Sequence, residues 1–329
     1  MLTRHELIAR PKLRREKSIG ALIGLAVGDA LGDLGRSQAH RARYGLATDL
    51  TDDAKSTDDT EFALLTARML LDCGGQLTSE HVLDAWQRYI LDQGGVFDRG
   101  GRPLYGAVAN LRRGMKPPLS GLDNVGNDDD GAAMRITPVG ILCAGDPQRA
   151  AAMAEIDAQI SHARDGIWAA QAVAASVAAA VVDGSVEEII QAGLAQIPDD
   201  SWLGRAMARA MGICDAAGSI LDAWKPLHDA LWTPTHATAA EAIPQAYAIF
   251  RLAEGDFRQG LLWACNFGRD ADTIAAVVGA LAGARHGVGI IPRAWVEKVR
   301  KPSGVALKFT ANEDIVAIAE ALAELMPTI

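Results

Sequence analysis

Two acidic segments more than two hundred residues apart, Ser56-Thr-Asp-Asp-Thr60 and Gly268-Arg-Asp-Ala-Asp-Thr273, constrain this chain more than any other feature. Each places two carboxylates and a Thr hydroxyl at the start of an expected helix, over 61–71 and 274–286. They look like two halves of one metal site, and a fold that unites them must bring distant parts of the chain together. Four carboxylates in one cleft repel strongly at neutral pH, and two divalent cations would balance them. The six candidate ligands, Thr57, Asp58, Asp59, Asp270, Asp272 and Thr273, are hard oxygen donors with no nearby His or Cys. That set suits Mg²⁺ or Mn²⁺ rather than Zn²⁺. Asp and Thr at a helix start more often simply cap it. The surroundings of the second segment argue for more: Ile-Ala-Ala-Val-Val-Gly-Ala-Leu-Ala-Gly-Ala follows it, a small-residue helix that another backbone can approach closely.

Apolar residues recur at helical spacing in most segments, such as Ala63, Leu64, Ala67, Leu70 and Leu71, and no stretch alternates convincingly with period two. The expected fold is all-α. Aromatics make up only 5% of the chain, so Ala and Gly dominate an apolar fraction of 49%, which favours close-packed helices over a β-sandwich. Phe97, Tyr105 and Trp168 adjoin the motif loops and are candidates to stack on a base. Trp86, Trp202, Trp224, Trp263 and Trp295 read as gap fillers between Ala-rich helices.

A net charge of −9 opposes nonspecific binding to phosphate backbones, so nucleic acid is not an expected partner. Residues 1–17 form a basic amino-terminal extension, and 18–329 read as one domain without a linker. The basic stretch followed by an apolar run imitates a secretory leader, but Asp29 and Asp33 follow at once and no small-x-small site is placed for cleavage. Cys73, Cys143, Cys214 and Cys265 are widely spaced and read as reduced, mostly buried thiols of a cytoplasmic protein. No apolar run reaches the roughly eighteen residues of a membrane span. The nearest, 167–182, reads as a buried helix, and no membrane partner is expected.

Four motifs stand in order: Gly20-Ala-Leu-Ile-Gly-Leu-Ala-Val-Gly-Asp-Ala-Leu-Gly32, the Ser56 segment, Gly131-Ala-Ala-Met-Arg-Ile-Thr-Pro-Val-Gly140, and Gly268 to Gly283, with Pro292-x-x-Trp295 beyond. Together they resemble the ADP-ribosylglycohydrolase family, which includes the dinitrogenase-reductase-activating glycohydrolases, from about Ser18 to Val299. The resemblance implies a single-domain orthogonal bundle of a dozen or more helices with a metal site at the mouth of a cleft. It implies that two divalent metals, Mg²⁺ or Mn²⁺, held by the six Asp and Thr residues, bind the distal ribose of an ADP-ribosyl group and a water. Metal-gripped hydroxyls would orient the sugar, and the water would be more acidic and more nucleophilic. The activity implied is hydrolysis of an N- or O-glycosidic bond to a protein side chain or a small acceptor. A hydrolase of free nucleosides or other small N-ribosides, and a non-catalytic crystallin-like or ligand-binding protein, are the alternatives.

The resemblance also assigns substrate-side roles. Gly131, Ala132, Met134 and Arg135 belong to a loop that approaches diphosphate and ribose, though Arg135 could pair with a structural carboxylate instead. Ser161 and His162 stand where the family places a hydroxyl–His pair near the ligand. Asp29 either contacts metal or substrate or serves as a hydrogen-bonded acid at a tight helix crossing. Asp98 lies roughly where some members place a catalytic loop Asp. One departure stands out: most members follow the first motif with a short segment ending in a Glu that contacts a metal or transfers protons, whereas this chain reads Asp33-Leu-Gly-Arg36. Arg36, or Arg269 beside the second acidic segment, is then expected to contact an anionic part of the substrate, with Asp33 or Asp98 handling protons. Both arginines could otherwise merely offset neighbouring acids.

Overall fold

Glycine recurs at every fourth position from Gly20 to Gly32, a spacing that keeps one thin face along a helix. The computed structural model, which describes residues 1–328, places that face on a 26-residue helix, Pro11–Arg36, opened by Pro at its first position. It runs antiparallel against the helix Ala271–His286, backbone to backbone. A Cβ on Gly20 would lie 2.3 Å from the carbonyl oxygen of Gly283, on Gly24 2.1 Å from that of Gly279, on Gly28 2.0 Å from that of Ala275, and on Gly32 2.2 Å from that of Ala271. No side chain fits between these rungs, so the two helices lock in one register. The lock brings the carboxyl-terminal end of the first helix, with Asp29, Asp33 and Arg36, onto the amino-terminal end of the second, with Asp270, Asp272 and Thr273.

The remaining helices wrap this pair. Among the described residues there are eighteen α-helices and no strand, only an isolated antiparallel bridge between Asp129 and Thr238, so the expected all-α fold is what forms. The Ala-rich helix Asp165–Val181 is almost wholly buried, as expected of the run at 167–182. Glu61, fully buried in the first turn of the helix Asp58–Asp72, ties down the carboxyl-terminal part of the chain. Its carboxylate accepts from Ser303 Oγ at 2.9 Å and from the backbone N–H groups of Val305, Ala306 and Leu307 at 2.8, 2.9 and 2.7 Å.

The boundary expected at Ser18 falls inside the Pro11–Arg36 helix, and the residues before it are built into the body. Arg4 donates to the carbonyls of Ala144 and Met326 at 2.8 and 2.7 Å, and Arg14 and Lys17 are buried. By length and composition the Pro11–Arg36 helix alone among the described residues could cross a membrane, yet 89% of its apolar window is buried against the rest of the chain. All four cysteines are free thiols, with Cys73 half-buried and the others buried. Trp202 departs from the gap-filling role expected of it: it is 42% exposed and lines a cavity instead.

Candidate active site

The end-on meeting of the two glycine-locked helices closes one side of a narrow cavity of about 100 Å³. The helix Asp58–Asp72 supplies another side, and Asp29 fixes where that helix begins. Asp29 accepts from the backbone N–H and hydroxyl of Thr57 at 2.7 and 2.6 Å, and from the hydroxyl and N–H of Thr60 at 2.6 and 3.2 Å. A buried acid from a distant helix thus satisfies the first-turn donors that a local cap usually takes. Neither Thr57 nor Asp270, the residues at the two N-cap positions, makes a side-chain cap hydrogen bond. Local capping therefore does not account for the acidic segments, whose carboxylates Asp58, Asp59, Asp270 and Asp272 all line the cavity together with Thr273. Thr57 stands behind them, its hydroxyl directed to Asp29.

Two arginines enter the same cavity. Arg36 Nη1 bonds both carboxylate oxygens of Asp272 and lies 3.1 Å from Asp270 Oδ1. Arg99 bridges Asp33 at 2.7 Å and Asp272 at 3.0 Å. His236 joins the cluster with Nε2 3.4 Å from Asp270 Oδ1. The charge compensation is uneven. No ion pair among the described residues reaches Asp58 or Asp59, and Asp59 Oδ1 and Asp130 Oδ2 are buried without a hydrogen-bond partner. Burial first, and then repulsion from Asp272 and Asp29, pushes the Asp58 carboxyl well above the usual range, and Asp59 behaves likewise. Burial and the adjacent Asp272 carry Asp270 up to about 7, with Arg36 opposing them. Burial also raises Asp29 to about 7 against the pull of its Thr57 and Thr60 hydrogen bonds.

A third wall comes from the loop at 128–131, stitched to the loop at 235–239 by the Asp130 N–H on the Ala237 carbonyl at 2.8 Å and the Ala239 N–H on the Asp128 carbonyl at 3.1 Å. Gly131 and Met134 line the cavity; Ala132 and Arg135 lie behind it. Arg135 is fully buried, with Nε on Asp157 Oδ1 at 2.7 Å and Nη2 on Ser161 Oγ at 3.1 Å. The pairing with a structural carboxylate is thus the arrangement it adopts. His162 Nδ1 lies 2.7 Å from Ser161 Oγ and Nε2 2.7 Å from Asp129 Oδ1, and burial depresses the imidazole's pKa. A neutral ring accepting from Ser161 and donating to Asp129 satisfies every partner in this chain. Ser161 and His162 thereby reach the cavity through Asp129, which they hold in place, and Arg135 also donates from Nη1 to the carbonyl of cavity-lining Gly131 at 3.0 Å. Asp129 also accepts the Gly131 N–H at 2.8 Å.

The other expected site residues fall outside the pocket. Asp98 sits on an exposed loop, its carboxylate accepting the N–H of Arg99 at 2.8 Å, and it is Arg99, with its backbone at φ 69°, that enters the cavity. Arg269, at φ 58°, pairs with buried Glu241, Nη2 to Oε2 at 2.9 Å, and lies over the Trp232 ring. Phe97, Tyr105 and Trp168 line neither this cavity nor its neighbour. Arg99, Asp129, Asp130 and His236 escape a reading of the sequence as site residues because they lie on loops that no periodicity marks, and Trp202, which opens the helix Trp202–Ala216, reads there as a gap filler. The acidic run at 128–130 and the glycines at 100 and 101 were the only local signals. The narrow cavity adjoins a larger one of about 600 Å³, the two sharing Arg99, Gly101, Asp129, His236 and Ala237, with Arg102 and Trp202 on the larger side.

A profile described as ADP-ribosylglycohydrolase matches residues 10–328. An uncharacterized protein of Archaeoglobus fulgidus is 31% identical over 297 residues, 87% of this chain and 92% of that one. The ADP-ribosylarginine hydrolase Tri1 of Pseudomonas putida is 25% identical over 307 residues, 88% of this chain and 76% of its own length. A solved structure titled ADP-ribosylglycohydrolase-related protein complex superposes with a TM-score of 0.69 at 25% identity, covering 96% of this chain and 99% of that one. This chain belongs to the ADP-ribosylglycohydrolase family, and is a hydrolase of ADP-ribosyl linkages at the level of that family.

Proposed function

We propose that this protein hydrolyses the glycosidic bond of an ADP-ribosyl group on a protein side chain or a small acceptor, with Mg²⁺ or Mn²⁺ as cofactor. The observation that carries the reading is the convergence of Asp58, Asp59, Asp270 and Asp272 in one cavity, none of them accounted for as a helix cap. The donor set suits a hard cation, and the buried, unpartnered Asp59 Oδ1 calls for one. As the side chains stand, no three carboxylates or imidazoles among the described residues are drawn together closely enough to chelate an ion. Arg36 and Arg99 lie among them.

Asp58 and Asp59, whose carboxylates no ion pair reaches among the described residues, would hold the metal, which when bound would acidify a water and grip ribose hydroxyls. The chain's own residues do the rest. The narrow cavity fits a single sugar, which its carboxylates orient. The adjoining 600 Å³ cavity is of a size that takes drug-sized ligands and accommodates the remainder of an ADP-ribosyl group. Arg99 and Arg102 stand where a diphosphate would pass, and the exposed indole of Trp202 offers a face to a base. Bond cleavage through an oxocarbenium-like state needs a carboxylate to manage protons. We assign that task to Asp33, which is partly solvated and, though it lines neither cavity, is tethered to Arg99, which lines both.

The size of the adjoining cavity favours this reading over hydrolysis of a free nucleoside, which would leave most of it unfilled. Isothermal calorimetry with Mg²⁺ present discriminates the two. ADP-ribose should bind at least tenfold more tightly than ribose-bearing nucleosides; tighter nucleoside binding would put the small-riboside activity in its place.

A further inference from the structure

The Arg36 guanidinium has an unusual seat. It projects from the last residue of the Pro11–Arg36 helix, and a single nitrogen, Nη1, contacts Asp272 Oδ1, Asp272 Oδ2 and Asp270 Oδ1 at once. Nη2 lies 3.4 Å from His236 Nε2, which faces Asp270 in turn. One cationic atom shared among three oxygens of two buried carboxylates is what a divalent ion would otherwise do at that point, and the guanidinium leaves it no room. At the other end of the cavity the reverse holds. Asp58 and Asp59 make no ion pair among the described residues, Arg99 acting on Asp58 only from a distance, and the buried oxygen Asp59 Oδ1 has no donor.

We propose that Arg36 is a built-in cation occupying one of the two metal positions that the resemblance implies, so that this protein takes one divalent ion, at the Asp58–Asp59 end, instead of two. The inference rests on the metal-dependent reading above and concerns only its stoichiometry. A fixed guanidinium between Asp270 and Asp272 neutralises that end of the cavity at every physiological metal concentration. It also leaves the Nη2 group, beside His236, where a substrate hydroxyl or a phosphate oxygen could take it up. A second ion would have to displace a cation held by three contacts from a partly buried position.

Counting bound ions tests this without reference to turnover. The protein is equilibrated by dialysis against Mn²⁺ alone, the bound metal is measured by atomic emission, and the Mn²⁺ electron paramagnetic resonance spectrum is recorded. The wild type should bind one tight ion with the spectrum of an isolated Mn²⁺. Arg36→Glu should bind two, with the spin-coupled spectrum of a close pair, and Arg36→Lys should stay at one. Two tight ions in the wild type would overturn the inference while leaving metal-dependent hydrolysis intact. So would a folded Arg36→Glu variant that still binds one. No tight ion in any variant would overturn the inference and the metal-dependent reading together. Should Arg36→Glu not fold, as judged by its circular dichroism melt, the wild-type count alone decides.

Discussion

Replacing Gly24 by Ala should destabilise this protein far more than the addition of one methyl group suggests. The new Cβ would sit 2.1 Å from the Gly279 carbonyl oxygen and 2.8 Å from its carbon, both backbone atoms. A normal carbon–oxygen contact needs well over 3 Å, so the two helices must part by roughly 1 Å at that rung. They cannot part there alone, because Gly20, Gly28 and Gly32 make equally close contacts along the same seam. Overpacking a well-filled core costs about 1–3 kcal/mol, and a clash against backbone on both sides belongs at or above the top of that range. At roughly 2–4 °C per kcal/mol for chains of 150–250 residues, a somewhat smaller shift per kcal/mol applies here, giving a fall in Tm of about 5–10 °C. Gly212 is the control: it is helical, and a Cβ there meets nothing within 4 Å. Gly212→Ala should be neutral or stabilising by up to about 1 kcal/mol through helix propensity. Differential scanning fluorimetry of the two variants decides. Equal Tm values for Gly24→Ala and Gly212→Ala would refute the locked-helix argument, and with it the explanation of how the site is held together.

Two further outcomes follow from the buried acids. Burial pushes the carboxyls of Asp29 and Asp270 up to about 7 in the folded state, above the ordinary carboxylate range, so the folded protein holds more protons than the unfolded chain between the two. Stability of the metal-free protein should therefore fall as pH rises from about 4 to about 7, a trend read from Tm in EDTA at pH 5 and pH 7.5; a rise over that interval would contradict the carboxylate clustering. Glu61→Gln should lose about 2–4 kcal/mol, since an amide replaces a carboxylate that accepts four hydrogen bonds, three of them from backbone N–H groups. Limited proteolysis should then cut first within 300–312; an unchanged cleavage pattern would mean that Glu61 does not anchor that segment.

Much of this architecture is legible in the sequence because it depends on residue types with few other uses. The small residues after Asp272 announce a helix that another backbone touches, and the two acidic segments announce a shared cavity. Arg36 is visible as a departure because a motif fixes its position. The role of Asp29 was open between ligand and organiser, and only the fold, by placing it under Thr57 and Thr60, reveals the four hydrogen bonds it accepts. Arg99 and His236 were illegible for a different reason. Both reach the cavity from loops whose course is set by tertiary pairing, such as that between Asp130 and Ala237, which leaves no periodic trace. For the same reason Asp98, which matched a family position loosely, stands outside while its neighbour enters. Arg135 and His162 illustrate a last limit: a sequence can mark residues as belonging to a site without telling whether they touch the ligand or hold what does.

The central claim is that this cavity cleaves ADP-ribosyl linkages, and product release tests it most directly. Purified protein with Mg²⁺ is incubated with an ADP-ribosyl-arginine peptide, an ADP-ribosyl-serine peptide and a nucleoside panel, and the products are read by mass spectrometry. The account predicts free ADP-ribose from at least one ADP-ribosyl peptide. It also predicts that Asp59→Ala or EDTA lowers that release by at least a hundredfold, the variant keeping its helical circular dichroism. Free ribose or base from nucleosides with no ADP-ribose from any peptide, or ADP-ribose released equally well by Asp59→Ala, would contradict it.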